Sequence, residues 1–328
     1  MLDRAYGALV GGAIGDAMGM PASFLTRRQI TNTYGYILDF LEPEKSVQSY
    51  HGDLKAAEVT DDTMESVIVA QVLIEHGRFS EEAFNQAMKQ WAMEQNMLES
   101  TVIGPSTRRY LTALIEGRDP KLTAGQGMTN GSAMRAAPIG IRYYDDLTKC
   151  IEAAAASSLP SHGSRPAVAA ACAVAAGVSM GVHGGYSSLD VLRAAADAAA
   201  YGEKVGQDIA APSLARRLRM VERIVDELSE ESLPTILDEL VGIFGASMMS
   251  YESVALSYGA FYAANGNGMD GVLAAINAGD DADTNGSICG NLCGAFSGAQ
   301  SFPAIWRSRV EKTSGLDLRK TAELLLKR

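Results

Sequence analysis

The chain has 328 residues, enough to bury a sizeable core as one large domain or two. Its 47% hydrophobic and 20% charged content is that of a soluble globular protein, and a formal net charge of −11 argues against nucleic-acid or anionic-membrane partners. Cys150, Cys172, Cys289 and Cys293 form no CxxC pair, which predicts reduced thiols in a cytoplasmic chain.

The opening charges Leu2-Asp3-Arg4, followed by a glycine-rich stretch, predict no secretory leader. Residues 2–19 read as a helix in which Gly7, Gly11, Gly15 and Gly19 recur every fourth position. Glycine weakens an isolated helix, but at this spacing it makes a smooth face for a second backbone, with Asp16 beside it. There is no GxGxxG and no preceding strand, so this is not a dinucleotide fingerprint. Residues 22–58 are irregular, and the segment is either a lid over a site or a connector.

Next comes Thr60-Asp61-Asp62-Thr63, opening an apolar helix that ends at Gly77. One capping oxygen satisfies a helix start, and this run offers several. Helices are expected over residues 80–96, 106–116, 147–158, 166–182, 188–201, 211–228, 233–244, 252–264, 269–278, 285–298 and 316–326. The stretch 166–189 carries no acidic, lysine or arginine side chain, yet its alanines and glycines suit a buried core helix better than a membrane span. Alternating β-branched runs are nearly absent. The class is all-α, a compact multi-helix single domain over 1–328. The glycine-rich loop from Gly125 to Pro138 exposes backbone N–H groups that can approach a phosphate or sugar, but it lacks the Gly-Lys-Ser/Thr of a P-loop. Asn130 and His162 read on their own as a turn residue and a cap or core partner.

A second acidic run, Asp280-Asp281-Ala282-Asp283-Thr284, precedes another uncharged helix. Asp281 and Asp283 alternate there, so both can turn inward while Ala282 turns out. Either cluster alone reads as an ordinary N-cap with solvated acids. Taken together, Thr60, Asp61, Asp62, Asp281, Asp283 and Thr284 offer an all-oxygen set that suits Mg2+, Mn2+ or Ca2+ better than zinc. That many ligands fit two metals sharing carboxylates better than one. The histidines form no HExxH pair.

Gly15-Asp16-Ala17-Met18-Gly19, Thr60-Asp61-Asp62-Thr63, Asn130-Gly131-Ser132-Ala133-Met134-Arg135, His162 and Asp281-Ala282-Asp283-Thr284 occur in this order. Over nearly its whole length the chain resembles the ADP-ribosylglycohydrolase family, of the dinitrogenase-reductase-activating type. The resemblance implies a compact all-α domain with two Mg2+ or Mn2+ ions at the bottom of a cleft. It implies hydrolysis of the bond from C1 of a ribose to its leaving group, on an ADP-ribosylated side chain or small molecule. By motif, Thr60, Asp61, Asp62, Asp281, Asp283 and Thr284 correspond to the metal ligands, and Asp61 or Asp62 would orient or deprotonate the water. Asn130, Gly131, Ser132, Arg135 and His162 correspond to substrate contacts. Two positions depart from the family pattern: Ser23 stands where a glutamate is common, and Asp280 stands where the late motif usually has glycine. These departures keep a nucleoside-like N-riboside open as substrate. A non-catalytic ADP-ribose-binding protein and a Mg2+-dependent phosphohydrolase are the readings from other classes.

Overall fold

A computed structural model describes residues 1–327. Helices make up the fold, and among the described residues the only strand-like pairings are the isolated bridges Leu25–Asp280, Thr129–Met249 and Ser164–Gln207. Buried side chains from almost every helix form one continuous core cluster.

The most extensive contact joins the first helix, Leu2–Gly19, to the late helix Ala282–Ser297. The two run antiparallel with small residues in register: Gly7 faces Gly294, Gly11 faces Gly290, Gly15 faces Gly286 and Gly19 faces Ala282. At each level a β-carbon on the glycine would collide with the opposing backbone carbonyl. The four-residue glycine repeat therefore has its partner, a matching repeat almost 300 residues away. Backbones this close leave no room for side chains. They carry the end of the first helix, with Asp16, to the start of the late helix, with Asp283.

The helix Asp61–His76 starts as expected, with Thr60 as N-cap accepting from the Asp62 backbone N–H, and it ends at Gly77 in the left-handed conformation. The late helix departs from expectation. It begins at Ala282 rather than residue 285, so Asp283 and Thr284 lie in its first turn and Asp281 at its N-cap. Ala282 does not turn outward; it is fully buried against Gly19. Helical geometry, not strand-like alternation, aims these acids.

Besides the short helices Lys121–Ala124 and Ala137–Arg142, two longer ones lie where none was expected. Arg27–Tyr34 opens with a Thr26/Gln29 capping box and buries only Ile30, so it offered too few apolar residues to be read as a core-packed helix. Ala304–Ser314 buries only Trp306 and Val310. The rest of the 22–58 segment is irregular but anchored. The Gln48 amide donates to the carbonyls of Met20, Pro21 and Ser23 at 3.3, 3.3 and 3.0 Å. Arg165–His183 is long and apolar enough to cross a bilayer, yet it is buried inside the fold, as a core helix is. All four cysteines are free and buried, with Cys289 and Cys293 side by side on one helix face.

Gly290→Ala should destabilise the protein by about 1–3 kcal/mol or more, because the two backbones must part. Gly242→Ala, at an exposed helical position with open space, should instead stabilise by about 0.5–1 kcal/mol. Urea denaturation of both variants tests the pair, and equal effects would refute the close-contact account.

Candidate functional site

The N-termini of Asp61–His76 and Ala282–Ser297 meet at a cavity of about 40 Å3. Its wall includes Asp61, Asp62, Asp281, Asp283, Thr284, Asn130 and Gly131 from the expected set, with Phe24, His51 and Met248. The positive ends of both helix dipoles favour negative charge here. Asp62 joins the two clusters. One of its oxygens, Oδ2, accepts from the hydroxyls of Thr60 and Thr284, each at 3.2 Å. The other, Oδ1, is buried with no hydrogen-bond partner. Asp281 accepts from the Asn130 amide at 2.5 Å. Asp61 forms part of the wall between this cavity and a larger one of about 390 Å3, bounded also by Trp91, Gln95, Met64 and Met97. Neither lining contains a lysine or arginine.

So much buried acid perturbs the carboxyls strongly. Burial, then repulsion from Glu65, Asp283 and Asp16, pushes Asp61 well above the usual carboxylate range. Asp62 is pushed well up by burial, Asp16, Asp283 and its other acidic neighbours, and Asp281 by burial and Asp283. Asp16, raised to about 7, is also driven mainly by burial. Burial pushes Asp283 up too, but the adjacent His51 above all, then Ser23 and the Thr284 amide, hold it below the ordinary value. Four carboxyls resist ionisation and one accepts it.

Two residues that build this site, one from behind and one in its wall, escaped the sequence reading. Asp16 is fully buried; it accepts from the backbone N–H groups of Thr60 and Thr63 and from the Thr63 hydroxyl, the last at 2.6 Å. It thereby ties the first helix to the acidic helix start. The glycine-flanked motif around it was the available signal. His51, from the irregular segment, reaches the cavity with Nε2 3.1 Å from Asp283 Oδ2. Nothing periodic marked it in the sequence.

Three of the expected substrate contacts do not reach the cavity. Arg135 is fully buried; its guanidinium donates to Glu65 Oε2 at 2.5 Å and to Ser161 Oγ at 2.6 Å, and stacks 4.8 Å above the Phe84 ring. Its charge is neutralised internally by Glu65, whose own carboxyl is raised by burial despite the arginine. Ser132 donates to the Ala167 carbonyl. His162 lies between Thr129 and Ser161, with its nitrogens 3.1 and 2.8 Å from their hydroxyls. Burial and the nearby Arg135 and Arg109 keep it neutral. Its ring backs directly onto Gly131, where a β-carbon would come within 2.8 Å of it. Arg135, His162 and Ser132 therefore form a layer behind the cavity that supports Asn130 and Gly131. The sequence could not separate lining from support within one motif. Thr60 is also set back, bordering the larger cavity while its hydroxyl holds Asp62.

Chemically, the cavity is an oxygen-rich acidic site. Its oxygen groups line a wall rather than surround a point: among the described residues, no three His, Cys, Asp or Glu side chains are already gathered as a metal cluster.

The fold defines the class. The chain superposes on a solved structure described as an "ADP-ribosylglycohydrolase-related protein complex" with a TM-score of 0.72, at 23% identity, covering 99% of this chain and 96% of that one. The ADP-ribosylglycohydrolase family description matches residues 1–328, and the chain belongs to that family of hydrolases. It is 31% identical to an uncharacterised protein of Archaeoglobus fulgidus over 93% of this chain and 91% of that one. It is 27% identical to the ADP-ribosylarginine hydrolase Tri1 of Pseudomonas putida over 94% of this chain and 74% of that one.

Arg135→Ala should cost about 3–5 kcal/mol of folding stability, because it leaves Glu65 buried without its counter-charge. A variant of full stability with only a raised KM would instead return Arg135 to a substrate role. The carboxyls set a second expectation. With folded-state values above the unfolded ones, the cation-free native chain binds more protons than the unfolded chain from about pH 4 to 7 and beyond, so its stability falls as pH rises. Asp283, held low, and His162, kept neutral by burial, have the opposite sign and are outnumbered. After chelator treatment, Tm should be higher at about pH 6 than at about pH 8, and added Mg2+ or Mn2+ should raise it most at the alkaline end. A flat, cation-insensitive Tm would contradict this.

Proposed function

We propose that this chain is a divalent-metal-dependent glycohydrolase that cleaves the bond between C1 of a ribose and its leaving group. One observation carries the reading. Oxygen donors from two helix starts more than 200 residues apart line one buried acidic cavity, with Asp62 Oδ1 partnerless inside it. Hard cations take such donor sets, and several buried carboxylates need compensating positive charge. Asp61, Asp62, Asp281, Asp283 and Thr284 would hold the metal, supported by Thr60. When bound, it would supply Lewis-acid activation of water and a grip on sugar hydroxyls.

The protein's own groups then divide the work. Asp62 is fixed by two threonine hydroxyls and suits a rigid holding role. Asp61 lines both cavities, which suits it to orient the attacking water and take its proton. The acidic wall would stabilise positive charge as it develops at C1, as in glycoside hydrolysis generally. Asn130 keeps Asp281 turned inward. The one continuous core supports reading residues 1–328 as a single domain.

ADP-ribose on a modified side chain or small molecule is the substrate class that the family supports. A second reading, a nucleoside-like N-riboside, is favoured by the two cavity linings. They hold no lysine or arginine to meet a diphosphate. Ser23, which hydrogen-bonds the Asp283 backbone N–H at 3.3 Å, stands where a glutamate is common in the family.

Mass spectrometry of sugar released from ADP-ribosyl-arginine and from a nucleoside panel, with Mg2+ or Mn2+ and with chelator, separates the two. Release from neither, with metal present, would discard the enzymatic reading. Asp61→Asn should lower turnover by about 10²–10⁴-fold while leaving the helical circular dichroism unchanged. Undiminished turnover would remove Asp61 from the mechanism.

A further inference from the structure

His51 is the one imidazole in the cavity wall, and the all-oxygen donor set does not account for it. Its side chain is 2% exposed, and both ring nitrogens are buried without a hydrogen-bond partner. A buried imidazole that satisfies neither nitrogen is costly unless something else occupies one of them. Nε2 lies 3.1 Å from Asp283 Oδ2, yet the contact lacks the alignment of a hydrogen bond. A histidine serving only as counter-charge to Asp283 would point an N–H at the carboxylate. Two donor atoms that share a cation need not point at each other. At metal–ligand distances of about 2.1–2.2 Å, neighbouring ligands of an octahedral ion stand about 3 Å apart, which matches the observed separation.

The ring is also held in place. Phe24 stacks on it at 27° between planes, with centroids 6.4 Å apart, and the Tyr50 ring in turn packs tilted against Phe24 with centroids 4.6 Å apart. Three residues earlier, Gln48 is bonded to the carbonyls that follow the first helix. The segment therefore presents His51 to the acidic cavity from a fixed anchor.

We infer that His51 is a nitrogen ligand to the divalent cation, shared with Asp283, and that it shifts the site's preference from Mg2+ towards Mn2+. An imidazole in an otherwise oxygen set favours first-row transition metals over Mg2+. The inference rests on the metal-site reading proposed above, and it assigns the 22–58 segment a direct part in binding the ion.

The test is Mn2+ binding to the full chain, followed by electron paramagnetic resonance, with pulsed detection of directly coordinated 14N. The wild type should show 14N coupling. His51→Gln should lose it, with Mn2+ affinity down about tenfold and Mg2+ affinity much less changed. In His51→Ala, added imidazole should restore the coupling, which a merely structural role would not produce. Circular dichroism checks that both variants fold. Mn2+ binding that Asp62→Asn abolishes, but that shows no 14N coupling in the wild type, would overturn the histidine ligand and leave the metal site standing. Persistence of the coupling in His51→Gln would also overturn it. No Asp62-dependent Mn2+ binding at all would overturn both this inference and the proposed metal dependence.

Discussion

The close antiparallel contact between Leu2–Gly19 and Ala282–Ser297 is the constraint from which the rest of the structure follows. Facing glycines let the two backbones touch, so the register between the helices is fixed by carbonyls rather than by adjustable side chains. Helix direction then does the placing. The C-terminal end of one helix, with Asp16, comes to the N-terminal end of the other, with Asp281 and Asp283. Asp16 in turn takes the backbone amides of Thr60 and Thr63, which brings the second acidic helix start to the same point.

What this arrangement creates is electrostatically unfavourable on its own. Asp16, Asp61, Asp62, Asp281 and Asp283 are all buried within one small region. Helix dipoles and hydroxyl donors offset part of the repulsion, but a dipole end carries only about half a unit charge. The fold spends packing energy to hold this cluster together, which is the pattern expected of a functional site and not of a stability device.

The glycine-rich loop illustrates how support and contact share one motif. Asn130 and Gly131 face the cavity, while Ser132, Arg135 and His162 stand one layer behind and meet Ala167, Glu65, Ser161 and Thr129. The buried Glu65–Arg135 pair links the first acidic helix to this loop. Hydrogen-bonded charges of this kind fix geometry more than they add stability. The arrangement locks the Asn130 side of the cavity to the Asp61 side.

By itself, the sequence determined the helical class, most helix positions, the caps at Thr60 and Gly77, and the identity of the acidic residues, because these follow from local periodicity and residue chemistry. It also marked the glycine face of the first helix. It did not show the matching face on 286–294, since a contact partner far along the chain leaves no local trace. Arg27–Tyr34 and Ala304–Ser314 were illegible because each buries only one or two side chains, leaving too few apolar positions to mark a core-facing stripe. Only the tertiary structure decided that Asp16 and His51 belong to the site, and that Arg135 and His162 support it from behind. A residue's type and spacing are written in the chain. Whether its side chain faces a cavity or a buried partner depends on which distant backbone packs against it.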